Sequence, residues 1–134
     1  MSQNFTAPIP KRWSTPVMKL LEAGDSKNID WTFTAKQEMR IIGLETEQDA
    51  YKLCLQTLKT TDIIGQCIVG MRSIEKNHRC EAWAFLCPHP LGSDTPIYAK
   101  IGLQEDELII DLFSLHIDRS GDLQTEITNY LEKR

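Results

Sequence analysis

The chain predicts an α+β fold: N-terminal helices packed on one face of a mostly antiparallel sheet of about four strands. Three observations predict it. The first half carries helix start and stop signals around apolar residues spaced i, i+3, i+4. From Thr61 onward the apolar period changes to two. The last two extended segments are joined by Gln104-Glu-Asp-Glu107, a connection of hairpin length.

Residues 1–14 contain Pro8 and Pro10 and show no periodicity, which predicts a flexible arm ahead of a single α+β domain spanning 15–134. Thr15-Pro16 opens the first predicted helix, with Thr as N-cap and Pro at the first helical position. Val17, Leu20 and Leu21 form its stripe, and Gly24 stops it. Thr34-Ala-Lys-Gln37 matches a capping box that opens a second helix closing at Gly43. Thr46-Glu-Gln-Asp49 opens a third, with Ala50, Tyr51, Cys54, Leu55 and Leu58 on its apolar side. Extended segments follow at 63–71, at 80–87, at 97–103 and at 108–117. The loop 88–96 is kept irregular by Pro88, Pro90, Gly92 and Pro96. Residues 122–134 read as a short polar helix or a frayed end.

At 134 residues the chain is long enough to bury a real core, and its 41% apolar and 25% charged residues match an ordinary globular domain. No apolar run approaches the ~20 residues of a membrane span. Met1 to Thr15 has no apolar signal-peptide core, and Cys54, Cys67, Cys80 and Cys87 form no CxxC pair. These features predict a cytoplasmic protein with reduced thiols. The net charge of −4 argues against a nonspecific coat on nucleic acid but leaves room for a local basic cleft.

No GxSxG element, phosphate-binding glycine loop or nucleophilic cysteine signature is present, and no cofactor is expected. His78-x-Cys80 and Cys87-x-His89 invite a zinc reading. An extended segment between them holds Cys80 and Cys87 apart by roughly 23 Å at ~3.3 Å per residue, so no metal site is expected. The polar face of the sheet remains. In Ile97-Tyr-Ala-Lys-Ile-Gly-Leu103 alternation sends Tyr98 and Lys100 to the same side. If the other strands align with them, Gln66, Arg72, Glu81, Ser114 and His116 share that surface. Such a set suits metal-independent RNA cleavage. Glu81 or His116 takes the 2′-OH proton, Arg72 or Lys100 balances the phosphorane charge, and Tyr98, His89 or His116 protonates the leaving oxygen. Gln66 and His89 are expected to contact substrate. Each of these residues taken singly is more often a solvated strand residue than a member of a site.

The order of features resembles the MqsR family of messenger-RNA-cleaving toxins, which belongs with the RelE-like ribonucleases. The similarity runs over about residues 16–117. It is carried by Val17-Met-Lys-Leu-Leu-Glu-Ala-Gly24, a helix ending Gly43-Leu44, a third helix, Asp62 before a strand, Ile97-Tyr-Ala-Lys-Ile101 and Leu108-Ile-Ile-Asp-Leu-Phe113. The resemblance implies a bacterial endoribonuclease with an RNA substrate and an antitoxin partner, and it places Tyr98 and Lys100 on the family's Tyr-x-Lys strand. Where the family carries Asp-Phe-Tyr-Lys-Ser, this chain reads Asp62-Ile-Ile-Gly-Gln66. The family's Trp-Gln-Asp-Val-Tyr-Arg stretch falls near Glu81-Ala-Trp-Ala-Phe-Leu86, and its final basic position holds His116. The rival expectation is a non-catalytic acidic binding protein of the immunity or antitoxin type. It draws on the net charge and on Glu45, Glu47 and Asp49 near a helix start.

Overall fold

Alternation along three long strands, interrupted once by a bulge, gives the sheet two chemically different faces, and the rest of the chain is arranged around that difference. The computed structural model describes residues 3–75 and 78–133. In chain order the elements are β1 (Phe5–Pro8), α1 (Lys11–Ala23), a short 3₁₀ turn, β2 (Ile29–Trp31), α2 (Phe33–Ile41) and α3 (Glu47–Leu58). Then come β3 (Ile64–Ile68), β4 (Cys80–Cys87), β5 (Ile97–Gln104), β6 (Ile110–Ile117) and α4 (Asp122–Glu132). The described strands form one sheet of six in the order β1-β3-β4-β5-β6-β2. All pairs are antiparallel except β2 with β6, which is parallel. The fold is α+β, but with six strands in place of about four.

The two extra strands lie at the edges. β1 falls inside the predicted flexible arm, where Phe5 pairs with Cys67 and Ala7 with Gly65. The expectation of a loose arm overlooked the extended preference of Phe-Thr-Ala and the apolar anchors after it. Ile9 and Trp13 are buried, and Trp13 Nε1 donates to the Glu81 carbonyl at 2.8 Å. That anchor also starts α1 a turn early. Its N-cap is Pro10, and Pro16 sits inside the helix rather than at its first position. β2 is three residues in the stretch between the first two predicted helices, and an edge strand that short leaves little periodic signal.

Among the helix signals, the α3 box is intact: Thr46 Oγ1 accepts from Asp49 N at 3.1 Å, and Asp49 Oδ2 accepts from Thr46 N at 3.1 Å. The α2 cap is Thr32 rather than Thr34, with Oγ1 accepting from Ala35 N at 3.1 Å. The Thr32 hydroxyl also donates to the Phe113 carbonyl, which fixes α2 to β6. Trp13, Val17 and Leu21 of α1, Ala35 and Met39 of α2, and Ala50, Tyr51, Cys54 and Leu58 of α3 belong to one hydrophobic cluster. Trp83, Phe85, Ile97, Ala99, Ile101, Leu112 and Leu115 of the sheet complete it. Inside it, Trp31 Nε1 donates to the Tyr51 hydroxyl, which donates to Glu47. Burial pushes the Tyr51 phenol up to about 12, with the Glu47 carboxylate adding to the rise.

Candidate functional site

The opposite face of the sheet is built by register. Gln66 pairs with Ala84, Ala84 with Lys100, and Lys100 with Ser114, so these side chains stand in one row. The next row runs Ile64, Leu86, Tyr98 and His116 by strand alternation and pairing. Between Lys100 and Ile101 the β5–β6 register slips, which leaves Phe113 as the extra residue of a bulge. Gly102 makes room for it: a Cβ there would come within 2.7 Å of Phe113 Cε2. The Phe113 ring centre consequently lies 6.0 Å from Lys100 Nζ, at the outer reach of a cation–π contact.

Gln66, Tyr98, Lys100, Ser114 and His116 line one cavity of about 530 Å³. Its remaining wall comes from Asn4, Ile68, the segment Asp118–Ser120, Asp122 and Leu123. The rings of Tyr98 and His116 stack with centroids 5.2 Å apart and planes 12° from parallel. His116 Nδ1 lies 2.8 Å from the Ile117 carbonyl. A carbonyl oxygen only accepts, so Nδ1 carries the proton, and in the neutral ring Nε2 holds the free lone pair. Lys100 is half-buried and makes no ion pair among the described residues. Its burial lowers the ammonium pKa. Burial, with the charge of Asp118, raises the Tyr98 phenol, which stays protonated at neutral pH. The pocket thus holds an oriented imidazole, a neutral phenol, an unpaired cation, an amide and a hydroxyl.

Three expected members lie elsewhere. Glu81 stands on the helix-covered face, opposite Leu103 and two residues from Trp83. There it accepts from Arg12 at 2.6 and 3.0 Å and from Trp83 Nε1 at 2.9 Å. The expectation that it shares a surface with Lys100 fails on strand parity, because Glu81 is paired with a core-facing residue. Arg72 lies beyond the end of β3. The alternation that seemed to run to residue 71 is broken at Gly70, whose φ is +79°. Arg72 forms an isolated bridge to Arg79 and lines a separate groove with Thr32, Ser73, Ile74 and Phe113. His89 sits in the loop after β4, where its Nδ1 accepts from Leu91 N at 3.1 Å. It does not line the Lys100 cavity.

Asp118 and Leu123 are the buried residues among those wall positions that the sequence reading missed. Asp118 is buried at the end of β6 and accepts from Gln124 Nε2 at 3.3 Å. The available signal was the turn-like Asp118-Arg-Ser-Gly121 run, which returns the chain over the sheet. A second polar cluster sits further along the same face. Gln104 Nε2 donates to both Asp111 carboxylate oxygens at 3.2 and 3.3 Å, and Ile74 N donates to Asp111 Oδ1 at 3.2 Å. Burial raises the Asp111 pKa despite these bonds, and Gln104 Oε1 is buried without a partner. Among the described residues, no group of three His, Cys, Asp or Glu side chains is placed to hold a metal. β4 runs unbroken from Cys80 to Cys87, which puts the two at opposite ends of an eight-residue strand. No described helix is long and apolar enough to cross a membrane.

No family model matches this chain, and neither a curated protein nor a solved structure is significantly similar to it.

Proposed function

We propose that the chain is a metal-independent endoribonuclease of the MqsR/RelE toxin type, diverged in sequence, with its site in the Lys100 cavity. The observation that carries the reading is one cavity lined by a half-buried cation with no ion pair among the described residues and by an imidazole whose tautomer is set by the Ile117 carbonyl. His116 Nε2 takes the 2′-OH proton, and the 2′-oxygen attacks phosphorus. The charge that builds on the phosphorane oxygens is balanced by Lys100, with Gln66 and Ser114 donating hydrogen bonds. The P–O5′ bond breaks, and the leaving oxygen takes its proton from the Tyr98 phenol. The products are a 2′,3′-cyclic phosphate and a 5′-hydroxyl end. With Glu81, Arg72 and His89 placed elsewhere, the proposed roles fall to these five residues.

The test is cleavage of a single-stranded RNA by the purified chain in the presence of a chelator, with the product ends identified by mass spectrometry. Cleavage to cyclic phosphate that is lost in Lys100→Ala supports the reading. Intact RNA, or equal cutting by the variant, overturns it.

A non-catalytic protein-binding role is the second reading. Exposed apolar side chains favour it: Ile41 and Leu91 are each 71% exposed, and Leu91 lies against the Gly43 backbone. The acids that first suggested it are partly engaged. Asp49 closes the α3 cap, and Glu47 meets Tyr51 and Lys36. Induction of the gene alone separates the two readings, because a ribonuclease toxin arrests growth and an inhibitor does not.

A further inference from the structure

One wall of the Lys100 cavity is formed by Asp118–Ser120 and by Asp122 and Leu123 at the start of α4, and we infer that α4 is a hinged, autoinhibitory roof over it. This inference rests on the ribonuclease reading for its purpose, though not for its mechanics.

The construction is an anchor, a hinge and a lightly held helix. Arg119 is tied to Glu38 of α2 by two contacts at 3.0 and 3.2 Å, which fixes the chain as it leaves β6. Two residues on, Gly121 takes φ +71°, a left-handed conformation that suits glycine, with open space where a Cβ would stand. Beyond it, α4 crosses β1, β3 and β4. Leu123 is its one buried residue. By contrast α1 buries four residues and α3 five. Gly121 at the N-cap has no side chain to offer, so the start of α4 is held by two polar contacts, Asp122 N to Ser120 Oγ at 3.2 Å and Gln124 Nε2 to Asp118 at 3.3 Å, and Leu131 is about half exposed.

Beneath α4 the sheet presents Ala82 and Ala84, small side chains whose uncovering exposes little apolar area, beside the half-buried Ile64, Ile68 and Leu86. The same segment brings carboxylates to the cation: Asp118 and Asp122 line the cavity with Lys100. Their charge and the Leu123 side chain share the cavity in which the ribonuclease reading seats the phosphate. Elements that move are drawn from the weakly held parts of a fold, and α4 meets that description. A site that is open for about a tenth of the time works about tenfold below its intrinsic rate, and freeing the roof recovers the difference.

The experiment uses the full chain. Native-state hydrogen exchange on the unaltered protein is expected to show α4 amides opening well below the denaturant needed to expose those of α1 and α3. Exchange of α4 together with α1 overturns the hinged roof. Leu123→Asp, which removes the one buried contact, is then treated with an amine-acylating reagent. Lys100 labelling, read by peptide mass spectrometry against exposed Lys19, is expected to rise about tenfold. Unchanged Lys100 labelling overturns the proposal. Cleavage of single-stranded RNA is expected to rise in parallel. Faster labelling with no RNA cleavage by either form keeps the roof and refutes the ribonuclease reading instead.

Discussion

The two faces of one sheet are made from the same strands and differ in almost everything else. On the helix side Trp83, Phe85, Ile97, Ala99 and Ile101 are nearly or wholly inaccessible, and every neighbour is apolar or paired. On the other side the intervening residues Lys100, Ser114 and His116 stay half-exposed around a cavity, and the Lys100 charge has no partner among the described residues. The difference teaches where stability and chemistry are kept. Burial of large side chains holds the fold, and the face left lightly covered can carry a cation at modest cost.

Four substitutions break or sharpen this contrast. The largest effect belongs to the helix side. Phe85→Ala is expected to destabilise the chain by about 3–5 kcal/mol, read from urea denaturation, because a fully buried ring leaves a cavity. Lys100→Ala is expected to lower RNA cleavage by about 10²–10³-fold. Its melting temperature should hold or rise, since an unpaired half-buried charge is removed. A large loss of stability would place Lys100 in the structural core rather than in a site.

Asp111→Asn comes third. Its carboxyl is raised by burial, so the ionised form costs folding stability above the folded pKa, and the cost is relieved as pH falls through that value toward the unfolded one. The asparagine carries no charge and offers an N–H to the orphaned Gln104 Oε1. A gain of about 1 kcal/mol is expected near neutral pH, shrinking in acid. A variant that is less stable at both pH values contradicts this account.

The smallest effect is at Arg12→Ala. Burial pushes the Glu81 carboxyl up, but hydrogen bonds from Arg12 and Trp83 outweigh it, and the net pKa is lowered. A depressed carboxyl contributes stability above its unfolded pKa and loses it as pH falls through the folded value. The pair is partly exposed, so the variant should lose no more than about 1 kcal/mol, mostly at neutral pH. RNA cleavage should be unaffected, because Glu81 and Arg12 lie on the far face. A loss of cleavage would mean that Glu81 reaches the site after all.

The sequence by itself determined the parity of β5. Tyr98 and Lys100 alternate with Ile97, Ala99 and Ile101, and that pattern has one satisfactory orientation against a core. It likewise determined the α3 capping box, because the cap is written in residues three apart. Only the tertiary structure decided which strands lie beside β5 and in what register. That choice rests on contacts between residues far apart in sequence, and it set Gln66, Ser114 and His116 with Lys100 while turning Glu81 to the opposite face. The short edge strands β1 and β2 were beyond local reading for the same reason, being held by their partners more than by their own pattern. So was the placement of α4 against β1, β3 and β4, since nothing in the polar run 122–133 says which surface it lies on.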